Sequence, residues 1–295
     1  MTDASTIWRT ALQTLRQNGR IALADWPADT IAPEQLGLKA EGAFLSMPER
    51  VRLYDEGYLD GQLKQVDATA TLRLFDAVDS TNTAMIRDAQ THGVGGHIYV
   101  AEFQTAGRGR RGRDWIGDFG RNVAMTVGFS FQRQLSDLGG LSCVAGLALI
   151  QVLENLGVKA QLKWPNDVWF EDKKLAGILV ELIQTPRGAS AVIGIGMNVD
   201  LSPEQTSMID QAVVGLRALN VAIAREDLVV AIYDALSVNL TFFAQEGFAR
   251  FVPAFDAVHR LHDSSAVLSS GNSKREGRVR GVDQDGALLF EENGS

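Results

Sequence analysis

The sequence Gly-Arg-Gly-Arg-Arg-Gly-Arg occupies residues 107–113 and is the most informative stretch of this chain. Four arginines in seven positions make a dense cationic cluster, and the glycines between them allow the backbone to approach a ligand closely. Guanidinium groups and backbone N–H groups in such a loop can bind oxyanions. Because the whole chain carries a formal net charge of −8, this cluster is not part of a generally basic surface.

The glycines at 107, 109 and 112 also match the dinucleotide-binding pattern G-x-G-x-x-G. That pattern requires a strand before it and a helix after it. The apolar run at 97–101 predicts the strand, but residues 114–120 predict an irregular loop, which disfavours a dinucleotide site. An RNA-binding arginine–glycine segment is a second alternative. It is disfavoured because such segments occur in disordered tracts and because the chain is acidic.

Composition bounds the class of protein. The chain has 295 residues and is 45% hydrophobic, which predicts two or three globular domains. A single cysteine, Cys143, excludes an intrachain disulfide and favours the cytoplasm. We expect neither a secretory signal nor a membrane span, since the apolar run 143–153 is too short to cross a bilayer. The spacing of the four histidines is unlike that of zinc sites, so no metal-ligating residue is predicted.

Hydrophobic periodicity predicts an α+β fold. Helices are predicted at 5–17 (capped by Ser5 or Thr6), 80–90, 137–156 and 227–245. Strands are predicted at 71–78, 97–101, 123–131, 158–163, 168–170, 176–183, 191–199, 278–282 and 287–290. The order gives a small helical N-terminal head, a middle with a mixed, mostly antiparallel sheet and flanking helices, and a short β tail. Hairpin-length connections argue against a doubly wound parallel fold.

Several polar segments have ordinary structural interpretations when each is considered alone. Ser80-Thr81-Asn82 can cap a helix, and Lys163-Trp-Pro-Asn-Asp167 can form a β-turn. Residues 173–181 can be a solvated turn that enters a buried strand, and Gln104 alone indicates nothing.

Together, however, these segments and the run Glu102–Arg113 closely resemble the biotin protein ligases, from about Pro48 to the C-terminus. Lipoate ligases share the fold but lack this combination, and a lipoate-type acyl adenylate ligase is the rival enzyme. The resemblance implies a class II synthetase-like catalytic domain at 67–252 and an SH3-like C-terminal domain at 253–295, expected to be short. Residues 1–66 would be a degenerate or partial winged-helix head.

The resemblance also implies a reaction in two steps. Biotin and ATP give biotinyl-5′-AMP and pyrophosphate, and biotin then passes to a lysine of the biotin carboxyl carrier protein of acetyl-CoA carboxylase. A carboxylate must approach a polyphosphate, so cationic side chains and Mg²⁺ are expected to offset the repulsion. A glycine-rich loop that closes over the adenylate would exclude water.

Site residues follow from the same resemblance. Biotin is expected to contact Ser80, Thr81, Asn82, Gln104, Arg108, Gly109, Arg110 and Lys174. ATP is expected to contact Arg110, Arg111, Arg113, Trp115, Asn166 and Asn198, with Gly194 and Gly196 beside the nucleotide. The alternative for Trp115 is a core side chain, and for the two glycines it is close strand packing. The predicted catalytic residues are Lys174, Arg108 and Asp167, of which Lys174 bridges the biotin carboxylate and the α-phosphate, and Asp167 orients the acceptor amine.

The resemblance also bears on two partners, operator DNA and a second copy of the chain. Family members with a complete winged-helix head bind the operator of the biotin genes. The head of this chain is short, so operator binding and a repressor role are disfavoured. A homodimer is expected when the adenylate is bound.

Overall fold

The computed structural model describes residues 4–27, 32–47, 51–185, 188–270 and 273–292. Its N-terminal head combines one helix with a three-stranded antiparallel sheet of order β1-β3-β2: α1 (Ala4–Asn18), β1 (Arg20–Ala22), β2 (Lys39–Glu41) and β3 (Phe44–Ser46). Leu12 and Leu15 of α1 are fully buried against Ile21 and Leu45 in a core of their own. The predicted helix is confirmed, although the side chains of Ser5 and Thr6 lie outside the described ones. The small sheet was not predicted.

A second helix, α2 (Glu56–Val66), was also not predicted from the sequence. Its first turn is capped by Asp55, whose Oδ1 accepts a hydrogen bond of 3.0 Å from the backbone N–H of Tyr58. Leu59 and Leu63 are fully buried in the main core. This helix therefore packs with the central part of the chain, and the domain boundaries given above stay predictions.

The centre of the molecule is a seven-stranded mixed sheet of order β4-β5-β6-β10-β9-β8-β7. Its strands and the helices along them are β4 (Thr71–Phe75), α3 (Thr81–His92), β5 (His97–Ala101), β6 (Val123–Phe131), α4 (Leu141–Asn155), β7 (Gln161–Lys163), β8 (Asp167–Phe170), β9 (Lys173–Thr185), β10 (Gly188–Met197), α5 (Pro203–Met208) and α6 (Arg225–Glu246). The pair β4–β5 is parallel and the other neighbours are antiparallel. The predicted mixed, mostly antiparallel sheet is thus confirmed.

Helices α4 and α6 cover one face of this sheet and pack against each other. The prediction of one helix over 137–156 was wrong at its start. Residues Leu135–Leu138 form a separate 3₁₀ turn. Gly140, whose φ is 73°, interrupts the helical conformation before α4 begins. The segments Leu135–Asn155 and Arg225–Glu246 are long and apolar enough to cross a membrane by composition alone. Core helices share that composition, and both segments lie in the core.

The tail consists of α7 (Val252–Val258) and a three-stranded antiparallel sheet of order β11-β12-β13: β11 (Ser265–Ser270), β12 (Ser273–Val282) and β13 (Leu288–Glu291). The two later strands were predicted, whereas β11 was not. The indole N–H of Trp164 donates a hydrogen bond of 3.0 Å to the carbonyl of Gly286. This contact ties the small sheet to the segment between β7 and β8.

A buried carboxylate joins the head to the central part of the chain. Glu102, 2% exposed, lies 2.7 Å from Arg225 of α6 and 3.5 Å from Arg16 of α1. The backbone N–H of Tyr54 also donates to it. Burial raises the pKa of Glu102, and the guanidinium of Arg225 opposes that shift. A buried charge needs such partners, so this cluster fixes where α1 sits.

Candidate active site

The polar segments singled out in the sequence meet at one cavity on the face of the central sheet that carries α3. Most of the predicted site residues line it: Ser80, Thr81, Asn82, Gln104, Arg108, Gly109, Arg110, Arg113, Trp115, Asn166 and Lys174. The glycines at 194 and 196 form part of its floor. Asn198 and Asp167 are not among these lining residues but contact Lys174, Asn198 at its backbone carbonyl and Asp167 at its ammonium. Arg111 lines a neighbouring cavity.

Ser80 stands at the N-cap of α3, yet among the described residues its side chain makes no capping hydrogen bond. The hydroxyl-bearing side chain is buried and faces the cavity. A buried serine is normally hydrogen-bonded. Ser80 therefore occupies the N-cap position without a capping hydrogen bond from its side chain, and it is one of the residues that line the cavity.

Thr81 and Asn82 belong to a buried hydrogen-bond network. The backbone N–H and the hydroxyl of Thr81 donate to Gln104 Oε1 over 2.9 and 3.1 Å. The hydroxyl of Thr126 on β6 lies 2.7 Å from both the Thr81 hydroxyl and Asn82 Oδ1. The amide of Asn82 donates to Glu181 Oε2 over 3.0 Å and to the carbonyl of Leu179 over 3.2 Å. The network holds Gln104 and Asn82 in fixed orientations at the cavity wall.

The two glycines of β10 are required by close approach. A Cβ on Gly194 would lie 2.2 Å from Asn82 Oδ1, and one on Gly196 would lie 2.3 Å from the indole of Trp115. Both distances are far below van der Waals contact. Asn82 and Trp115 therefore lie directly against the backbone of this strand, which agrees with the interpretation of the two glycines as sites of close packing. The two glycines also line the cavity.

The Arg-Gly loop folds back on itself beside this floor. The N–H of Gly109 donates to the carbonyl of Arg113 over 2.7 Å, and the N–H of Trp115 donates to the carbonyl of Gly107 over 2.9 Å. A Cβ on Gly107 would lie 2.3 Å from the carbonyl oxygen of Trp115, which explains why glycine is needed there. Residues 114–120 form an irregular loop rather than a helix, so the dinucleotide alternative fails.

Two arginines of the loop have specific partners. The guanidinium of Arg108 donates to both carboxylate oxygens of Glu181, over 2.9 and 3.2 Å. Arg110 lies 3.4 Å from Asn166 Oδ1. Burial and then the charge of the neighbouring Arg111 lower the pKa of Arg110. Burial is the larger of these two causes, and an anion bound beside Arg110 would oppose both of them by stabilising the charged guanidinium.

Lys174 provides a cation that is more enclosed than Arg108 of the loop. Its ammonium lies 3.0 Å from Asp167 Oδ1, and the two side chains are only 11% and 14% exposed. The ammonium also lies 5.8 Å from the centre of the Trp115 ring. Backbone hydrogen bonds to Ala212 and Val214 fix the strand at this residue. A cation on a rigid strand, rather than on the loop, can hold a fixed position during a reaction.

Asn166 follows a cis peptide bond between Trp164 and Pro165. Its side-chain amide donates to the carbonyl of Ile178 over 2.9 Å, and its own carbonyl accepts from the N–H of Ile178 over 2.9 Å. Two bonds to β9 therefore aim the remaining oxygen, Oδ1, at Arg110.

Comparison with known proteins agrees with this geometry. Residues 74–198 match the family described as the biotin/lipoate A/B protein ligase family. The chain is 32% identical over 274 residues to the bifunctional ligase/repressor BirA of Escherichia coli strain K12, an alignment that covers 92% of this chain and 82% of that protein. The chain belongs to the biotin protein ligase family.

Other members of the biotin protein ligase family support the assignment. A biotin–[acetyl-CoA-carboxylase] ligase of Mycobacterium tuberculosis is 36% identical over 184 residues, covering 57% of this chain and 67% of that one. A mutant biotin protein ligase from Aquifex aeolicus in complex with biotin superposes with a TM-score of 0.63 at 26% identity, over 75% of this chain and 91% of that one. The Aquifex aeolicus complex with biotin and ATP gives 0.60 at 26% identity, over 76% and 96%.

Two members of the site network were not given roles by the sequence analysis. Thr126 lies on β6, where the apolar alternation accounts for its neighbours Met125 and Val127. The signal available in the sequence was a threonine between small residues on the face of β6 opposite to Met125 and Val127. In the structure Thr126 is fully buried. Glu181 lies in the quoted family segment, but its pairing with Arg108 joins residues 73 positions apart and no local pattern indicates it.

Proposed function

We propose that this chain is a biotin protein ligase that makes biotinyl-5′-AMP from biotin and ATP and then biotinylates a lysine of the biotin carboxyl carrier protein of acetyl-CoA carboxylase. The observation that carries this proposal is the single cavity in which the Ser80–Gln104 hydrogen-bond network faces Lys174 and the Arg-Gly loop. One end of the cavity suits a polar ring and the other end suits an acid anhydride.

Biotin fits the network end. Its ureido ring offers N–H donors and a carbonyl acceptor, and the hydroxyl of Ser80 can serve as either partner. Thr81 and Gln104 stand beside it in fixed orientations. Leu179, which pairs with Gly194, and Trp115 line the same cavity and provide apolar contact for the ring system and the acyl chain. The carboxylate would then point towards Lys174.

ATP fits the space between the Arg-Gly loop and the C-terminal sheet. Four predicted ATP-binding residues, Arg110, Arg111, Arg113 and Asn166, line a second cavity whose other wall includes Val267 and Phe290. Three of them also line the first cavity, so the α-phosphate can reach the biotin carboxylate. Asn166 Oδ1 and the carboxylate of Asp167 are oxygen donors of the kind that Mg²⁺ prefers beside phosphates. Mg²⁺ would neutralise phosphate charge there.

In the first step a carboxylate oxygen of biotin bonds to the α-phosphorus, the bond to the β-phosphate oxygen breaks, and pyrophosphate leaves. Lys174 and Arg110 stabilise the charge that develops. In the second step the acceptor amine attacks the biotinyl carbonyl, loses a proton, and AMP leaves. A free lysine amine has a pKa of about 10.4, so a carboxylate such as Asp167 can orient it or accept its proton.

Asp167→Asn is expected to slow biotin transfer more than adenylate formation. The amide cannot accept the proton of the acceptor amine, whereas the side chain of Lys174 is unchanged. Because Asp167 also pairs with Lys174, the two steps are measured separately, as biotin-dependent ATP–pyrophosphate exchange and as transfer from preformed biotinyl-5′-AMP. Asp172→Asn is the control, since that side chain is 92% exposed on the same hairpin. Equal losses in both steps would contradict the role.

Arg108→Ala is expected to release biotinyl-5′-AMP about 10–100-fold faster, the factor that corresponds to one charge-assisted hydrogen-bonded pair. The change removes the fork to Glu181 that fastens the loop to β9. Retention of the adenylate on a desalting column measures the effect. Arg87→Ala is the control, because Arg87 is an exposed arginine on α3. Retention equal to that of the control would contradict the loop's role as a cover.

The decisive test of the proposed activity is biotin-dependent ATP–pyrophosphate exchange, run in parallel with lipoate. We expect exchange with biotin and not with lipoate, followed by labelling of a carrier domain. Exchange with lipoate alone would indicate the lipoate-type ligase instead.

The remaining expectations belong to the same proposal: a cytoplasmic enzyme, an SH3-like small sheet and a homodimer in the adenylate-bound state. The relative in Escherichia coli is a bifunctional ligase/repressor, and the described residues of the head in this chain form α1, two short 3₁₀ turns and a small sheet. Gel shifts on biotin-operon promoters, with and without biotinyl-5′-AMP, test operator binding, and we expect none.

A further inference from the structure

Three potential metal ligands cluster outside the cavity described above. Asp256 lies in the last turn of α7, and His259 and His262 follow in the turn that leads to β11. One ligand atom from each residue lies within 4.8 Å of the others. The chain leaves the helical conformation at His259, and a turn in which the N–H of His262 donates to the carbonyl of His259 over 3.1 Å brings the third residue back beside the other two.

Two of the three residues offer buried atoms that lack a partner. His259 is 5% exposed. Within the described part of the chain, both its ring nitrogens and Oδ1 of Asp256 are buried without a hydrogen bond. Buried polar atoms in folded proteins are nearly always paired. A cation bound between these residues would give His259 and Oδ1 of Asp256 the close partner that these atoms lack among the described residues.

The backbone of β12 next to the cluster leaves room for the carboxylate of Asp256. A Cβ on Gly281 of β12 would lie 2.6 and 2.7 Å from the two oxygens of Asp256, and Gly281 has φ 109° at a register shift of that strand. The N–H of Arg260 donates to the carbonyl of Leu162 on β7 over 2.8 Å. The cluster therefore lies where the edge of the central sheet meets the C-terminal sheet.

His262 completes the set from the solvent side. Its Nδ1 lies 3.8 Å from Asp256 Oδ1, and its Nε2 lies 3.7 Å from Asp263 Oδ2. Histidines that bind a metal usually donate their second ring N–H to a carboxylate. Asp263 is itself held by Arg280 at 2.6 Å, so this supporting group is also oriented.

We propose that Asp256, His259 and His262 bind one Zn²⁺, with the fourth position open to water. Two imidazole nitrogens and one carboxylate oxygen suit Zn²⁺ rather than the all-oxygen preference of Mg²⁺ or Ca²⁺. Ligands about 2.1 Å from zinc in a tetrahedron lie about 3.4 Å apart, so loading would draw the set inwards. Because the His262 side chain is 37% exposed, it has room to move. Histidine spacing alone did not indicate this site, since Asp256 supplies the third ligand.

The test uses the full chain after chelator treatment, and its readouts are independent of ligase activity. Isothermal titration with Zn²⁺ is expected to show one site, and Co²⁺ in its place is expected to show the visible absorption of a tetrahedral complex. Zinc is also expected to raise the melting temperature, because it binds only the folded junction. A large excess of Mg²⁺ should not compete.

His262→Gln separates the site from a general loss of folding, because it changes the most exposed of the three ligands. We expect at least tenfold weaker zinc binding and a smaller zinc-induced rise in melting temperature. The matched control is His92→Gln, which replaces an exposed histidine at the end of α3. Absence of stoichiometric binding, equal binding by the two variants or displacement by Mg²⁺ would each overturn the proposal.

Discussion

Replacing Lys174 by alanine is expected to slow biotin-dependent ATP–pyrophosphate exchange by about 10²–10³-fold, the loss that follows removal of one preorganised charge-stabilising donor. The ammonium is enclosed between Asp167 and the Trp115 ring, on a strand fixed at both sides by backbone hydrogen bonds. Water cannot easily replace a cation in such a place. The loss should fall mainly on the rate of the chemical step and should persist at saturating ATP and biotin.

Lys173→Ala provides the matched control, because this lysine is the preceding residue of the same strand and is exposed to solvent. It changes the net charge by the same amount and leaves the cavity intact. We expect its exchange rate to stay close to that of the unmodified chain. If both variants lost activity equally, general electrostatic attraction of ATP would explain the effect, and the assignment of Lys174 would be wrong.

Replacing Gly194 by alanine is expected to raise the KM for biotin by about 10–100-fold, equivalent to the loss of one or two hydrogen bonds. The new methyl group would lie 2.2 Å from Asn82 Oδ1, so that side chain must leave its place between Thr126 and Glu181. The wall that faces the ureido ring would change shape. Because Lys174 is untouched, the maximal rate at saturating biotin should fall much less than the KM rises.

Gly61→Ala is the control for the effect of adding a methyl group. Nothing lies within 4 Å of a Cβ at that position of α2, so biotin binding should not change. Thermal unfolding of both variants separates a local effect from misfolding. The double variant Gly194→Ala/Asn82→Ala should recover stability without recovering biotin affinity. An unchanged KM for Gly194→Ala would contradict the placement of biotin against Asn82.

Part of the central sheet could be predicted because large apolar residues alternate with small or polar residues along its strands. Strand β6 was predicted with its observed bounds, since its apolar residues recur at every second position. Helix α2 was missed because Gly57 and Gly61 lower its intrinsic helix propensity, so that the helix depends on the tertiary packing of Leu59 and Leu63. The short strands of the head carry too few residues for any period to show.

The site could be predicted residue by residue only where a family motif supplied it. The motif indicated Lys174 and Asn82, but not that Asp167 pairs with Lys174 or that Glu181 holds both Arg108 and Asn82. The contacts of Glu181 join residues that lie 73 and 99 positions apart, whereas Asp167 and Lys174 meet across the short hairpin between β8 and β9. Considered alone, Ser80 is predicted to cap a helix, because the preference for a cap is local, whereas the cavity is formed by residues from distant segments.

The buried carboxylate of Glu102 gives the head a second importance, apart from any contact with DNA. Glu102 comes two residues before Gln104, at the root of the Arg-Gly loop, and Arg16 of the head is one of the two guanidinium groups that neutralise it. A chain shortened to exclude the head would leave that root with an under-compensated negative charge in a dry environment. Altered catalysis in such a shortened enzyme would therefore indicate that the start of the Arg-Gly loop is displaced. The variant Arg16→Met in the intact chain distinguishes this effect from the loss of a regulatory module.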